Sequence, residues 1–451
     1  MFNKQILHQS QKKWLVLSHA FNMDGRAASQ TMTDKIPSLL AAGIDIYVLS
    51  AITGVKDNNI KHKQLIAWGP TSLRFDFRHW YSSRYSKGLF YKLFTALLTS
   101  ILLPFSLIEK WVFGYSSQWS WALSAFIFGR KLINQGRVNV IYSAASAWSA
   151  HLAGYWLKKT TGLPWLAEIH DPMVMRINDD DDGVIMLKSR DRDERLRYWL
   201  EKKICKHADL VWWFTEGALH YAKLRNPNLD SLNNAKSMML IPGAKAPTVK
   251  QVIHKYNNTL TLSHFGSLAE DRSLIKLFEV MPALIQKYPE LKRVLRINVY
   301  GSELDNLSME TIKKLNLESN VLIYGRVENN SKKGISGREQ IVIKMMESDI
   351  LILLTGETPS CAEYIPSKFY EYLYTTRPIF AITHINPQLD NMLDSRGHYT
   401  AHSFDSLSIQ LQLEKIWIDW KNKRLVQPKY DPYKVEDCVD KILSAAYETS
   451  P

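Results

Sequence analysis

Short continuous runs of apolar residues recur along the chain, and polar or amphipathic segments separate them. Runs of this kind are typical of parallel strands buried on both faces. The intervening pattern predicts helices, including one that ends at Ala41 or Ala42 before Gly43 and one that ends at Thr161. The predicted strands are KWLVLS (13–18), IDIYVLS (44–50), VNVIYS (138–143), WLAEIH (165–170), ADLVWWFT (208–215), MMLIPG (238–243), TLTLSHFG (259–266), LRINVYG (295–301), NVLIYG (320–325) and DILILLT (349–355).

The alternation of strands and helices occurs in two series, with a linker predicted at 244–258. We therefore expect the α/β class, with two doubly wound domains that resemble Rossmann folds. A chain of 451 residues is long enough for two such domains. No GxGxxG motif follows the first predicted strand, which argues against a nicotinamide dinucleotide site.

One hydrophobic segment, GLFYKLFTALLTSILLPFSLIEKWVFGY (88–115), lies between the early strands. Its uncharged part, Leu93 to Ile108, is shorter than the roughly 20 residues that a spanning helix needs. A basic, aromatic stretch at 78–87 precedes it, and tryptophans follow it as far as Trp121. This pattern favours contact of the region 88–121 with lipid headgroups. A buried core helix or a helical hairpin is the alternative.

The chain carries 57 Lys and Arg against 44 Asp and Glu, a formal net charge of +13. Such a charge attracts anionic lipid or phosphorylated ligands, and no nucleic-acid-binding signature accompanies it. Three widely spaced cysteines predict neither a disulfide framework nor a zinc site. The N-terminus lacks the apolar core of a signal peptide, so we expect a cytoplasmic protein. The acidic run at 179–182 is expected to be a polar loop without a metal.

The segment ETPSCAEYIPSKFYEYLYTTRP (357–378) follows the predicted strand DILILLT directly. Ser367 is expected near the start of a helix, with Lys368 in the first turn and Glu371 one turn later on the same face. A helix N-terminus and a lysine suit phosphate, and a carboxylate suits ribose hydroxyls. Glu363, in the preceding loop, is placed to reach sugar hydroxyls. An ordinary helix with a solvated Glu and Lys is the alternative.

The segment HFGSLAEDRSLIKLF (264–278) predicts a strand that ends in Gly266 and a helix that begins near Arg272. The glycine would let the backbone approach a ligand, and Arg272 would meet a diphosphate at the helix start. A plain turn with a solvated arginine explains this segment equally well.

Two further loops follow predicted strands of the first domain, at the edge where ligands bind in open α/β sheets. His170 and Asp171 lie in EIHDPM, and a neutral histidine can hydrogen-bond a sugar hydroxyl or act as a base. Gly25 and Arg26 lie in the first loop and could contact donor phosphates or a lipid phosphate. The alternatives are a structural histidine with a capping aspartate, and a turn glycine with a surface arginine.

With these motifs in place, the chain resembles the GT-B glycosyltransferases of family 4, the glycogen-synthase-like group with an E-x7-E motif, of the bacterial envelope-polysaccharide type. Resemblance extends over 141–172, EKKICKHADLVWWFTE (201–216), IPGAKAP and the final helix VEDCVDKILSAAYE (435–448). It implies a retaining, metal-independent transfer, with His170 and Asp171 near the transferred sugar. One departure is Ser267, where the family often has an arginine.

The resemblance implies three regions: an acceptor-binding domain at 1–245, a nucleotide-sugar-binding domain at 246–430, and a helix at 431–451 that returns to the first domain. We expect transfer of a sugar from a nucleotide sugar to a lipid-linked or polysaccharide acceptor, at the inner face of the cell membrane. No cofactor is expected. A sugar-nucleotide epimerase and a non-catalytic scaffold of a glycan assembly complex are the rival hypotheses.

Overall fold

The computed structural model describes residues 12–23, 25–85, 88–115, 118–144, 147–174, 191–269, 271–301, 303–327 and 336–448. The chain divides into two compact units. The first unit is Met1–Pro242 together with Val435–Pro451, and the second is Gly243–Lys434. The sequence placed these two boundaries at 246 and 431.

The first unit is built on a parallel sheet of seven strands in the order β3-β2-β1-β4-β5-β6-β7. Helices connect most of the strands, and apolar clusters lie on both faces of the sheet. The strands are β1 (Lys13–Leu17), β2 (Asp45–Ala51), β3 (Lys61–Leu65), β4 (Val140–Ala144), β5 (Trp165–Ile169), β6 (Leu210–Trp213) and β7 (Lys236–Met239). The helices are α1 (Ala27–Ala41), α2 (Pro70–Ser82), α3 (Leu89–Val112), α4 (Trp121–Asn134), α5 (Ser149–Thr161), α6 (Arg192–His207) and α7 (Glu216–Arg225).

The second unit is built on a parallel sheet of six strands in the order β10-β9-β8-β11-β12-β13. Its strands are β8 (Leu260–Gly266), β9 (Leu295–Gly301), β10 (Val321–Gly325), β11 (Ile350–Leu354), β12 (Ile379–Thr383) and β13 (Tyr399–His402). Its helices are α8 (Ile275–Lys287), α9 (Leu291–Val294), α10 (Asn306–Lys314), α11 (Gly337–Glu347), α12 (Lys368–Tyr372), α13 (Pro387–Asp394) and α14 (Ser406–Lys421), with a 3-10 helix at Pro359–Glu363.

The expected class, two doubly wound parallel-sheet domains, is confirmed. Ten predicted strands correspond to observed ones, although MMLIPG is displaced toward the N-terminus, where Lys236–Met239 forms β7. Three strands were missed. The strand β3 (KHKQL) lies at a sheet edge and alternates buried and exposed positions, so it lacks the continuous apolar run on which the prediction depended.

The last helix, α15 (Val435–Glu448), packs on the first unit. Its buried residues Cys438, Val439 and Ile442 join the same apolar cluster as Met32 and Ile36 of α1. The chain therefore leaves the first unit after Pro242 and returns to it at Val435.

The apolar segment forms a helical hairpin with the helix that precedes it. The helices α2 and α3 pack against each other, and α3 has 24 residues. Most apolar side chains of α3 are exposed, so a buried core helix is excluded as the explanation of this segment.

Both sheets have a position where the strand order reverses direction. In the first unit it lies between β1 and β4, and in the second between β8 and β11. Ligands of open α/β sheets bind beyond the carboxyl ends of the strands at such positions. The loops that follow these strands are therefore where a binding site is expected.

Candidate functional site

In the first unit, two polar side chains occupy the end of the otherwise apolar strand β5. Glu168 is completely buried within β5, and His170 follows the strand with 8% of its surface exposed. Oε1 of Glu168 lies 2.6 Å from Nε2 of His170. The sequence singled out His170 but not Glu168, although a charged residue inside a buried strand was a visible signal.

The carboxylate of Glu168 is surrounded by donors from three other elements. Nζ of Lys35, also fully buried, lies 2.7 and 2.8 Å from its two oxygens. The hydroxyl of Tyr142 donates at 2.6 Å, and the indole N–H of Trp212 at 3.1 Å. Burial opposes ionisation, but the positive charge of Lys35 and the hydrogen bond from His170 hold the pKa of Glu168 well below its usual range. Glu168 is therefore an anion that only accepts hydrogen bonds.

This arrangement determines which nitrogen of His170 is available for chemistry. Because Glu168 can only accept, Nε2 of His170 carries a proton, and Nδ1 is the nitrogen that can accept a hydrogen bond when the ring is neutral. Among the described residues Nδ1 has no hydrogen-bond partner. The ring stacks on Phe214 with centroids 4.8 Å apart, which fixes its plane. Asp171, the next residue, is exposed.

The predicted pair Gly25 and Arg26 lies in the loop after β1, at the point where the strand order reverses. Gly25 has a φ of 67°, and Arg26 is exposed at the start of α1 without capping it through its side chain. The strand β4 separates this loop's strand from β5. Sequence reasoning missed His19 in the same loop, whose Nε2 lies 3.1 Å from the buried Asp76 of α2.

In the second unit, the loop after β8 contains Gly266 and Arg272. Gly266 has a φ of 143°, which disfavours residues with a side chain. The helix α8 begins at Ile275, so the expectation that it begins near Arg272 was wrong. Instead, Arg272 pairs with Ala269 through two backbone hydrogen bonds in a tight loop. Its guanidinium donates to the hydroxyl of Ser267 at 3.2 Å. Ser267 occupies the position where the family that the sequence resembles often has an arginine.

The loop after β11 meets the loop after β8 at a glycine. A methyl group on Gly356 would lie 3.0 Å from the Asp271 carboxylate and 3.2 Å from the Tyr364 hydroxyl, so the close approach favours glycine. Tyr364 accepts the Gly356 N–H at 3.0 Å. The amide of Asn386 donates to the carbonyls of Cys361 and Tyr364, which fixes the loop from its other side. Glu363 lies within this loop, which these hydrogen bonds hold in place, and is 1% exposed.

The helix α12 presents Lys368 and Glu371 on one face. Their side chains are 2.5 Å apart, at a spacing of three residues. Arg338, near the start of α11, approaches the other oxygen of Glu371 at 3.8 Å. Burial opposes ionisation of Glu371, but Lys368 and then Arg338 lower its pKa. Arg338 was missed, because no motif in the sequence singled out its segment.

The N-terminus of α12 offers less to a phosphate than the sequence predicted. The helix has only five residues, and Ser367 occupies its N-cap position without a side-chain capping bond. A helix this short has a small dipole, so positive potential at this point comes chiefly from the Lys368 ammonium.

The buried imidazole of His264, on β8, is influenced by two cations of the candidate site, Arg272 and Lys368. The ring lies beside Gly266: a methyl group added to that glycine would lie 3.9 Å from Nε2 of His264. Burial, then the positive charge of Arg272, and more weakly that of Lys368, lower the pKa of His264 to about 4. Arg272 and Lys368 therefore both lie near this ring, which is neutral at physiological pH.

A pocket of about 210 Å³ adjoins Glu371 in the second unit. Its walls combine charged groups with apolar side chains, among them Ala246, Pro247 and Val249. Thr248 and Glu339 are hydrogen-bonded across it at 2.8 Å. The residues that line it include Glu371, Tyr374, Arg338, Val342 and the segment 245–249.

Within the second unit, Gly266, Arg272, Glu363, Lys368 and Glu371 thus lie on the two loops at the reversal of strand order and on the helix that follows. In the part of the chain that the structure describes, no group of three His, Cys, Asp or Glu side chains could hold a metal ion. The acidic run at 179–182, expected to be a polar loop, lies outside the described residues.

Comparison with known proteins identifies the fold. No protein-family model matches the chain, and no curated protein matches it by sequence. Solved structures do match along nearly the whole length. A trehalose-6-phosphate structure from E. coli, bound with UDP-2-fluoro glucose, is 11% identical, covers 97% of this chain and 96% of its own, and has a TM-score of 0.58.

Two other solved structures have similar coverage. The lipopolysaccharide outer core galactosyltransferase WaaB in its apo form is 10% identical, with a TM-score of 0.54 and coverage of 97% of this chain and 100% of its own. A UDP-N-acetylglucosamine 2-epimerase is also 10% identical, with a TM-score of 0.50 and coverage of 96% and 94%. With its two parallel sheets of seven and six strands, the chain therefore has the GT-B fold.

Proposed function

We propose that the protein is a glycosyltransferase of the family 4 type, which moves a sugar from a nucleotide sugar to a lipid-linked or polysaccharide acceptor in cell-envelope or exopolysaccharide synthesis. The observation that carries the proposal is the arrangement of Arg272, Lys368 and Glu371 at the reversal of strand order in the second unit. Two cations, and a carboxylate that lines a pocket, match the parts of a nucleoside diphosphate.

The donor would bind through its diphosphate and its ribose. Arg272 and Lys368 are the groups that would contact the phosphates, with the Gly266 backbone free to approach them. Glu371 would accept hydrogen bonds from the ribose hydroxyls, and the pocket beside it would hold the base. As the glycosidic bond breaks, negative charge accumulates on the leaving diphosphate, and these fixed cations would stabilise it without a metal ion.

Glu363 lies on the loop after β11, and we assign it to contacts with the sugar of the donor. Its loop is held at both ends, by Tyr364 and by Asn386, so the carboxylate is carried on a rigid support. A rigid carboxylate can accept hydrogen bonds from sugar hydroxyls and can stabilise positive charge that develops on the sugar ring.

The first unit would supply His170 and Asp171. With Nε2 bound to Glu168, His170 offers Nδ1 to a sugar hydroxyl, and the ion pair with Lys35 keeps Glu168 charged. In this assignment Glu168 and Lys35 are positioning residues, and Asp171 orients the sugar. Gly25 and Arg26 are assigned to phosphate contacts. Retention of anomeric configuration is part of the proposal and is supported by the sequence resemblance alone.

A panel of nucleotides tests the proposal. UDP, GDP, ADP and dTDP, and sugars linked to them, should be screened by thermal shift, since a ligand that binds the native state raises its stability. We expect one base to be preferred, and slow release of the nucleoside diphosphate when the sugar nucleotide is incubated alone. Conversion of the sugar to its epimer would instead favour an epimerase. Absence of binding by every nucleotide would favour the scaffold.

A further inference from the structure

The helix α3 exposes apolar side chains along its whole length. Leu97 is 62% exposed, Ile101 56% and Trp111 82%. The helix is long and apolar enough to cross a membrane by composition, and none of its most apolar window is buried. Contiguous exposed apolar surface of this extent marks an interaction site.

The charges of the hairpin are distributed asymmetrically. Both carboxylates of α2 and α3 are buried: Asp76 against His19, and Glu109 in hydrogen bonds from Thr71 and Trp119. Arg78, Lys92 and Lys110 are exposed, so every exposed formal charge on these two helices is positive. A second copy of the chain would bring like charges together, whereas an anionic lipid surface complements them.

Polar contacts and one aromatic stack attach α3 to α2 along its length. At the C-terminal end of α3, Glu109 accepts from the backbone and hydroxyl of Thr71 at 2.8 and 2.6 Å. In the middle, Arg74 donates to Thr99 at 3.2 Å. At the N-terminal end, Tyr81 stacks on Phe94 with centroids 4.9 Å apart.

The helix α2 is in turn fixed to the core of the first unit. Asp76 pairs with the buried His19, and Ser72 accepts a hydrogen bond from Ser120 at 2.8 Å. Both ends of α3 are therefore held on the same side of any membrane that the helix contacts. Spanning the roughly 30 Å apolar layer would require these buried polar contacts to break.

Aromatic residues and arginines lie at the C-terminal end of α3. Arg192 donates to the carbonyl of Val112 at 2.5 Å, and it lines a pocket that also contains Arg195 and three tryptophans. Trp and Arg side chains are suited to the headgroup layer, where apolar and charged surroundings meet. The three tryptophans are Trp119, Trp156 and Trp199.

From these observations we propose that α3 lies flat in the headgroup region of an anionic bilayer, as a monotopic contact that does not span it. Its apolar side chains enter the acyl boundary, and Arg78, Lys92 and Lys110 contact lipid phosphates. The inference is independent of the proposed sugar transfer, and it favours an acceptor that is carried by a lipid.

Flotation with vesicles tests the contact. Wild-type protein should float with phosphatidylglycerol–phosphatidylcholine vesicles, and less with phosphatidylcholine alone or at high salt. In the double variant Leu97→Glu/Ile101→Glu, the fraction of protein bound to vesicles should fall at least tenfold. The control Leu232→Glu/Ile253→Glu, which changes two aliphatic residues elsewhere that are even more exposed, at 99% and 82%, should float like wild type. Equal flotation of both variants would overturn the proposal, as would a dimer of the lipid-free protein that only the α3 variant loses.

Labelling distinguishes a flat helix from a spanning one. Gly88→Cys and Phe113→Cys place thiols at the two ends of α3, while the native Cys205, Cys361 and Cys438 are buried and supply the background. Protein bound to sealed vesicles should react at both ends with a membrane-impermeant maleimide added outside. Protection of one end that is relieved only by detergent would show that α3 spans, and would overturn the flat orientation.

Discussion

Nε2 of His170 lies 2.6 Å from Oε1 of Glu168, whose two oxygens also contact Nζ of Lys35 at 2.7 and 2.8 Å. The carboxylate therefore joins a buried cation to a histidine at the edge of the sheet. Four donor groups, which make five hydrogen bonds to one carboxylate, leave Glu168 no freedom to act as a base, and its chemical effect must pass through the ring that it orients.

Glu168→Gln is predicted to lower turnover by about ten- to hundredfold, the range seen when a supporting partner of a functional histidine is removed. The neutral amide can present its N–H to Nε2 and allow the opposite tautomer. Stability should also fall, by about 3–5 kcal/mol, because Lys35 would stay buried without its anion. Urea denaturation and steady-state kinetics measure the two effects separately.

The double variant Lys35→Met/Glu168→Gln is the control for these two effects. It removes both buried charges, so much of the lost stability should return. Turnover should remain low, since the carboxylate is still absent. Full activity in the double variant would show that Glu168 only supports the fold.

Acid is predicted to destabilise the protein through its buried histidines. Burial lowers the pKa of His264 to about 4, against an ordinary value of 6.5. Between these values the unfolded chain binds a proton that the folded protein does not, so stability falls with falling pH. The slope is about 1.4 kcal/mol per pH unit for each such group. His62 and His398, both near 4, and His151, near 3, act in the same direction.

Denaturation at pH 7 and pH 5 checks this expectation. His264→Gln should reduce the loss of unfolding free energy between the two pH values by about 2 kcal/mol. His220→Gln, at an exposed position, should leave that loss unchanged. An unaltered pH dependence in His264→Gln would show that the ring is protonated or solvated in the folded state.

The fold could be predicted because most of the ten predicted strands are continuous apolar runs, the direct consequence of burial on both faces of a parallel sheet. The run ILILL of β11, with all five residues buried, is an example. The strand β3 could not be found in this way. Its lysines are exposed at the sheet edge, and its pairing with β2 depends on backbone hydrogen bonds that leave no apolar signal.

The sequence located candidate residues where a loop follows a predicted strand, as with His170 after β5 and Gly266 at the end of β8. Contacts between elements were not predictable. Lys35 and Glu168 are 133 positions apart, and no local pattern connects a lysine on α1 with a glutamate on β5. The length of α12 was not predicted either; the helix ends at Tyr372, after five residues.

His170→Ala is predicted to reduce turnover far more than donor affinity. The ring lies on the first unit, whereas the donor residues assigned here lie on the second. A group that acts on the reacting sugar lowers kcat and kcat/KM together. Steady-state kinetics with titration of the nucleoside diphosphate checks the split. Nearly full activity of the variant would make His170 structural.

The donor assignment depends most directly on Lys368 and Glu371, so it has the sharpest test. Lys368→Ala should weaken nucleoside diphosphate binding about ten- to hundredfold, since a charge-assisted hydrogen bond contributes about 1.5–3 kcal/mol. Glu371→Ala should weaken both the nucleoside and the nucleoside diphosphate, because the ribose is common to both. The pair Lys344 and Glu347 has the same spacing of three residues, in the same unit, and is exposed. Its alanine variants should therefore bind like wild type in isothermal titration. Unchanged affinity in both Lys368→Ala and Glu371→Ala would show that α12 is not the donor site, and the glycosyltransferase proposal would lose the observation that carries it.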